Sequence, residues 1–112
     1  MRRYLVSRHG VALDWVSAQG FVVDEVLSHF DDACLERVQA GDVVMGTLPI
    51  QIVAELTLKG VCYYHLLIPL TSELRGRTLT LEELNSLDVQ LVAFTAKKIF
   101  QVKGALDERV DG

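Results

Sequence analysis

The chain has 112 residues and a formal net charge of −4; 50% of the residues are hydrophobic and 23% are charged. This length and composition indicate one small globular domain and exclude a second core or a long disordered segment. The acidic balance argues against binding to long nucleic acid, which needs many lysines and arginines along the phosphate backbone, but it is compatible with a small anionic ligand.

Continuous apolar runs alternate with helical patterns along the chain, and most helical patterns stop at a glycine. The predicted strands are Tyr4 to Val6, Phe21 to Phe30, Val43 to Met45, Leu66 to Ile68 with Tyr63-Tyr64-His65 before it, and Val89 to Phe94. The predicted helices are Val11 to Gln19, Ala33 to Ala40, Ile50 to Lys59 and a short helix that begins at the capping box Thr80-Leu81-Glu82-Glu83 and runs to about Leu87.

The segment Phe21 to Phe30 fits a helical stripe as well as a strand. We favour a strand because Gly20 can end the helix before it and Asp31 or Asp32 can cap the helix after it. The resulting βαβαβαβαβ order predicts an α/β fold, a Rossmann-like three-layer sandwich around a mainly parallel sheet of about five strands.

The predicted domain spans residues 1–103 and is followed by an expected flexible tail over 104–112. Thr95 to Val102 is expected to form a last strand or hairpin arm. We expect no targeting segment, because Arg2-Arg3 is followed by only a short apolar run before Arg8, and no run approaches membrane-spanning length. A cytoplasmic protein without a membrane partner is predicted.

The histidines and cysteines show no spacing typical of a metal site. The three histidines form no HxxxH or HxH pair, and Cys34 and Cys62 have no CxxC-type spacing. We therefore expect no bound metal, no other cofactor and no disulfide, and we expect both thiols to be free and buried.

Two strand-to-helix joints carry the best functional clue in the sequence. Ser7-Arg8-His9-Gly10 follows the first predicted strand, and Gly46-Thr47-Leu48-Pro49 follows the third. Because parallel strands end on one edge of the sheet, both joints can converge on one ligand. The helix after each joint presents unpaired N–H groups and a positive dipole end. We therefore predict an anion pocket formed by the two joints.

In the first joint, Arg8 offers planar donors for phosphate, and His9 can donate or relay a proton near neutral pH. The alternative is that Arg8 pairs with an acidic neighbour and that His9 caps the helix beginning at Gly10. A three-residue motif does not decide between the two.

In the second joint, Gly46 allows a close backbone approach, Thr47 can cap a helix or bind a ligand, and Pro49 suits a first helical turn. Together with Leu48, these residues also make a good strand-to-helix turn with no ligand. Finding two such joints favours a site.

Other polar residues have structural explanations beside functional ones. His29 could form an acid/base pair with Asp31 or Asp32, although an Asp that caps the next helix is favoured. His65 is expected to be hydrogen-bonded within a strand, and Trp15 to pack in the core. Ser7 lacks the GxSxG context of a nucleophilic serine.

The longest irregular stretch, Leu70 to Leu79, carries Arg75 and Arg77. These arginines can close over an anionic ligand or remain solvated. The glycine-rich dinucleotide fingerprint and the Walker loop are both absent from the sequence, which argues against an ordinary NAD or NTP enzyme.

Motifs in a fixed order along about the first three quarters of the chain carry a family resemblance: Val6-Ser7-Arg8-His9, Asp14-Trp15, Gln19-Gly20, His29, Gly41-Asp42, Gly46-Thr47-Leu48-Pro49, Tyr64-His65-Leu66 and Arg75-Gly76. In this order they resemble the small CRISPR-associated family that can be written Csx-sixteen, an accessory of type III systems. The resemblance implies a Rossmann-like homodimer that binds and linearises cyclic tetra-adenylate, the second messenger of an activated type III complex, without a metal.

The resemblance also implies roles for the residues of the two joints. Arg8 would bind the reacting phosphate, and His9 would act as general acid or as hydrogen-bond donor to the leaving oxygen, while Ser7 and Thr47 orient ribose or phosphate. The full set of predicted ligand-binding residues is Ser7, Gly10, Gly46, Thr47, Leu48 and Arg75. Two other functions stay open at this point: a protein that sequesters the cyclic nucleotide without cutting it, and a protein-interaction module.

Overall fold

The computed structural model describes residues 1–102, and the predicted tail over 104–112 lies outside them. Five strands alternate with four helices, which confirms the predicted βαβαβαβαβ order. The elements are β1 (Arg3–Val6), α1 (Gly10–Ala18), β2 (Glu25–Leu27), α2 (Asp32–Arg37), β3 (Val43–Gly46), α3 (Ile50–Lys59), β4 (Cys62–Leu67), α4 (Leu81–Ser86) and β5 (Gln90–Phe94).

The five strands form one sheet in the order β2-β1-β3-β4-β5. The first four strands run parallel, and β5 pairs antiparallel with β4. The chain therefore winds outward in one direction from β1 and in the other from β3, so the switch point of this doubly wound sheet lies between those two strands. Ligands of open α/β sheets bind in the crevice at that point, outside the carboxyl ends of the strands.

Two apolar cores, one on each face of the sheet, make the predicted three layers. Tyr4, Val44 and Tyr63 point to the face that α2 and α3 cover, and Leu5, Met45 and Leu66 point to the face of α1 and α4. Strand residues that alternate between faces are thus buried on both sides, which explains the continuous apolar runs of the sequence. Trp15 is buried in the second core, as expected.

The antiparallel strand β5 returns along the edge of β4. The connection between them, residues 68–89, contains α4 as its only helix, and Gln90 at the start of β5 pairs with Leu67 at the end of β4.

Two predicted elements are shorter in the structure. The second strand covers only Glu25–Leu27, and Phe21 and Val22 before it are exposed. The second helix ends at Arg37 instead of Ala40, because the next residue, Val38, leaves the helical conformation and its side chain is buried in the first core. Burial of this apolar side chain outweighs continuation of the helix.

The predicted last strand or hairpin arm over Thr95 to Val102 was wrong, since residues 95–102 form neither strand nor helix. The amide of Ala96 donates to the hydroxyl of Thr57 on α3 at 3.1 Å, so the chain leaves the sheet edge and crosses onto that helix. Cys34 and Cys62 are free, but Cys34 is half-buried and Cys62 is exposed, so the prediction of buried thiols was wrong. Over residues 1–102, no helix is both long and apolar enough to cross a membrane.

Candidate functional site

A cleft of about 590 Å³ opens at the carboxyl edge of the sheet, over the switch point between β1 and β3. Its volume lies within the range of small-molecule sites. Three strand-to-helix joints and the loop before α4 line it. The polar or backbone-exposing members of the lining are Ser7, Arg8, His9, Ser28, His29, Gly46, Thr47, Arg77 and Thr78.

The two joints predicted from the sequence meet at this cleft. Gly46 lies so close to the end of β1 that an added Cβ would sit 3.0 Å from the carbonyl oxygen of Val6 and 3.2 Å from its Cβ. Only a residue without a side chain permits this approach. The glycine thus fixes the spacing between the first joint and the second.

The first joint is held in shape by Ser7. Its hydroxyl accepts the amide N–H of His9 at 3.1 Å and lies 3.0 Å from the His9 carbonyl oxygen. His9 occupies the N-cap position of α1, but its side chain makes no capping bond. The amides of Gly10 and Val11 have no partner within residues 1–102, so the start of α1 offers donors and a positive dipole end to a ligand.

Arg8 is exposed, lines the cleft, and makes no ion pair or side-chain hydrogen bond with any residue from 1 to 102. The alternative explanation of the first joint, in which Arg8 pairs with an acidic neighbour and His9 caps the helix, is therefore not observed. A guanidinium with its donors free, beside unpaired helix amides, is suited to bind a phosphate.

The second joint differs from the sequence expectation in two details. Thr47 is not the N-cap of α3; Pro49 is, and it precedes the helix instead of starting its first turn. The Thr47 hydroxyl lies 3.4 Å from the carbonyl oxygen of Leu66, a long contact. The amide of Leu48 donates to the buried hydroxyl of Tyr63 at 2.9 Å and is not free for a ligand.

A third joint, between β2 and α2, also lines the cleft. Asp31 accepts the amide of Cys34 at 3.0 Å and caps α2, as favoured from the sequence, and this bond lowers the pKa of its carboxyl. His29 lies with Nε2 3.2 Å from Asp31 and Nδ1 3.1 Å from the hydroxyl of Ser28. Ser28 and His29 therefore add a hydroxyl and an imidazole to the cleft.

The loop before α4 brings Arg77, not Arg75, to the cleft. Arg75 is exposed and lies outside the lining, whereas Arg77 lines the cleft and pairs with Glu83. The predicted capping box is confirmed, because Thr80 and Glu83 exchange hydrogen bonds at 2.9 and 3.1 Å. The bonds from Arg77 and from the Thr80 amide lower the pKa of Glu83 to about 2. This ion pair anchors the loop over the cleft.

Sequence analysis did not single out Ser28 and Thr78, which line the cleft, or Tyr63, which lies outside the lining but contacts the second joint. Its phenol oxygen reaches both ends of Thr47, bonding the carbonyl of Gly46 and the amide of Leu48. The strand pattern around His65 predicts which face Tyr63 occupies, but not that its hydroxyl reaches the neighbouring strand's loop. His65 itself is hydrogen-bonded within β4, as expected.

Over residues 1–102, no group of three or more His, Cys, Asp and Glu side chains is placed to hold a metal ion. The chemistry that the cleft offers is instead that of a free arginine, two imidazoles, hydroxyls and helix-start amides. Such a set can bind an anion, polarise a phosphoryl group and transfer a proton.

Comparisons with known proteins address the same stretch of chain. Residues 4–97, which include every described strand but the first residue of β1, match a family model described as "Putative CRISPR-associated protein (Cas_VVA1548)". No curated protein and no solved structure matches the chain. The family match spans the sheet, all four helices and the cleft, and the chain belongs to this CRISPR-associated family.

Proposed function

We propose that this CRISPR-associated protein is a ring nuclease of the Csx-sixteen kind, which binds cyclic tetra-adenylate and linearises it to end type III antiviral signalling. The family membership supports the CRISPR context. The motif resemblance supports the ligand and the reaction. The cleft supplies groups that suit a phosphodiester: an arginine, imidazoles, hydroxyls and helix-start amides.

The state of Arg8 carries the proposal. Arg8 is exposed, lines the switch-point cleft and has no carboxylate partner among the described residues, and it precedes by two residues the first of the two free amides at the start of α1. A phosphate placed there gains charge-assisted hydrogen bonds from the side chain and the helix start together.

The proposed reaction is a displacement within the ligand. A ribose 2′-oxygen attacks the adjacent phosphorus, the bond from phosphorus to the 5′-oxygen breaks, and the product is a linear oligonucleotide with a 2′,3′-cyclic phosphate and a 5′-hydroxyl. The 2′-hydroxyl proton leaves to solvent, and the imidazolium of His9 gives its proton to the departing 5′-oxygen. The protein has to hold the attacking and leaving oxygens in line and stabilise the phosphoryl charge.

In this mechanism Arg8 binds the phosphoryl oxygens and His9 acts as the general acid. Ser7 acts through the loop, because its hydroxyl is already bonded to the backbone of His9. Thr47 faces the ligand from the second joint, with a hydroxyl that only a long contact engages. The four-nucleotide ring is two-fold symmetric, and we propose that a homodimer presents each joint twice to enclose it.

The test is incubation of the purified protein with cyclic tetra-adenylate in excess EDTA, with products separated by chromatography. We expect linear product carrying a 2′,3′-cyclic phosphate. His9→Gln should lower the rate of ring opening by about 10²- to 10⁴-fold, the usual contribution of a general acid, while the protein stays folded.

Arg37→Ala is the matched control, since Arg37 lies at the opposite end of the sheet and pairs with Glu25. Tight binding with no product after long incubation would select the sequestering function instead. Absence of any binding by calorimetry would reject both and favour the interaction module.

A further inference from the structure

We infer that Tyr63 and His65 form a positioning pair that sets the shape of the second joint around Thr47. The expected effect of this pair on ligand binding and catalysis rests on the proposed function. The hydrogen bonds of the pair can be tested in the ligand-free protein.

The phenol oxygen of Tyr63 makes three contacts. It lies 3.1 Å from the carbonyl oxygen of Gly46, 2.9 Å from the amide nitrogen of Leu48 and 2.6 Å from Nδ1 of His65. Gly46 and Leu48 flank Thr47, so one side-chain atom from β4 holds the peptide groups on both sides of that residue. Holding both peptide groups restricts the backbone dihedrals φ and ψ of Thr47 and so fixes the direction of its Cα–Cβ bond.

The proton count fixes the direction of each bond. A phenol has one proton and two lone pairs. The amide of Leu48 must donate and the carbonyl of Gly46 must accept, so the phenol proton goes to Gly46 and one lone pair is taken by Leu48. The remaining lone pair accepts a proton from Nδ1 of His65. All three bonds form together only when His65 carries a proton on Nδ1.

The surroundings of Tyr63 strengthen this arrangement. The side chain is only 2% exposed, within the core between the sheet and α3, where an unpaired polar group is costly. Burial raises the pKa of Tyr63, against the smaller lowering by the Leu48 amide, so the phenol keeps the proton that it donates to Gly46. The His65 ring packs edge-on against Tyr63 and Phe94, which orients it.

The contact between Tyr63 and Leu48 decides which residues of the second joint can bind a ligand. Because the Leu48 amide donates to Tyr63, the ligand contact predicted for Leu48 cannot come from that amide, although the residue lines the cleft. Recognition from this joint is then left mainly to Thr47. Tyr63 and His65 would act on the ligand only through Thr47, and therefore as positioning residues.

The experiment compares Tyr63→Phe with Tyr4→Phe. Tyr4 is 3% exposed, belongs to the same apolar core and loses the same hydroxyl, but its ring lies among Arg2 and Arg37 at the other end of the sheet. In the ligand-free protein, Tyr63→Phe should speed hydrogen exchange of the Leu48 amide by about tenfold or more, since a buried hydrogen bond is lost. Tyr4→Phe should leave that exchange unchanged.

A second ligand-free measurement reads the tautomer of His65 by nitrogen NMR. The expected signal is a protonated Nδ1 in the neutral ring. A neutral His65 protonated on Nε2, or a Leu48 amide that exchanges equally fast in wild type and Tyr63→Phe, would overturn the inference, whatever the protein does to cyclic tetra-adenylate.

With cyclic tetra-adenylate as ligand, Tyr63→Phe should raise KM by about tenfold, change kcat less and leave the pH profile in place, because His9 is untouched. His65→Asn, which keeps a donor near the Nδ1 position, should restore most of the affinity that His65→Ala loses. Equal losses in both His65 variants would contradict the positioning role. If wild type itself neither binds nor opens the ring, the proposed function fails while the exchange and tautomer results still stand.

Discussion

Arg2, Arg3 and Arg37 at the amino end of the central sheet are all paired with carboxylates, whereas at the carboxyl end Arg77 is paired with Glu83 and Arg8 is not paired within residues 1–102. At the amino end, Arg2 pairs with Glu25 at 2.9 Å, Arg37 pairs with the same carboxylate, and Arg3 pairs with Asp24 at 3.3 Å. Hydrogen bonds from Arg2 and Arg37 lower the pKa of Glu25. At the carboxyl end, Arg8 has no partner among the described residues.

The backbone shows the same difference. At the amino end, the buried carboxylate of Asp42 accepts the amides of Arg2 and Gln39, both at 2.9 Å, so donors there are satisfied internally. At the carboxyl end, the amides of Gly10 and Val11 are left open. The paired arginines and the Asp42 carboxylate at the amino end contribute to folding. At the carboxyl end, Arg8, which is unpaired in the described part of the chain, and the two open amides are available to bind an external anion.

The largest effect that this comparison predicts is a difference in ligand affinity between Arg8→Ala and Arg37→Ala. Arg8→Ala should weaken affinity for a cyclic tetra-adenylate blocked by 2′-O-methyl groups by roughly 10- to 100-fold, the value of a charge-assisted hydrogen bond, with little change in stability. Arg37→Ala should leave the affinity unchanged. Calorimetry measures the affinities, and equal losses in both variants would end the distinction between the two ends of the sheet.

A smaller effect on ligand affinity, together with a loss of stability, is predicted for Gly46→Ala, which disturbs the contact between the two joints. The new Cβ would lie 3.0 Å from the Val6 carbonyl oxygen, so β1 and β3 have to move apart at their carboxyl ends. We expect a loss of about 1–3 kcal/mol in the free energy of unfolding, and weaker ligand binding. Gly10→Ala is the control for stability, since a Cβ there meets nothing within 4 Å.

The smallest effect on the site, though not on the fold, is predicted for Asp42→Asn. The backbone bonds from Gln39 and Arg2 lower the pKa of Asp42, so its stabilising contribution is present above the unfolded pKa of about 4 and is lost as the pH falls through the lower folded value. At pH 7 the variant should lose about 1–3 kcal/mol in the free energy of unfolding, as expected for a weakened buried acceptor.

The measurement for Asp42→Asn is urea denaturation at pH 7 and near pH 3. The difference in the free energy of unfolding between wild type and Asp42→Asn should be smaller near pH 3 than at pH 7. Ligand affinity at pH 7 should match that of wild type, and an affinity loss there would mean that the two ends of the sheet are coupled.

Local sequence patterns predicted much of this fold, for reasons visible in single elements. Ile50–Lys59 was predicted with both its ends, because the helical period stops at Gly60, whose left-handed conformation closes the helix. The capping box at Thr80 is likewise a local hydrogen-bond pattern. Prediction failed where a contact with a distant part of the chain determines where an element ends. The side chain of Val38 is buried in the core at the end of α2, and the amide of Ala96 donates to Thr57 on α3 instead of continuing the sheet.

For the candidate site, the sequence by itself determined which residue types follow the strands: an arginine and a histidine after the first, and a glycine and a threonine after the third. Parallel strands of an α/β fold end on one edge, so these types could be assigned to a common region without coordinates. Only the tertiary structure decided which donors are free, because pairing depends on chain segments far apart in sequence. Glu25 satisfies Arg37, Tyr63 takes the Leu48 amide, and Arg8 is left open to the cleft.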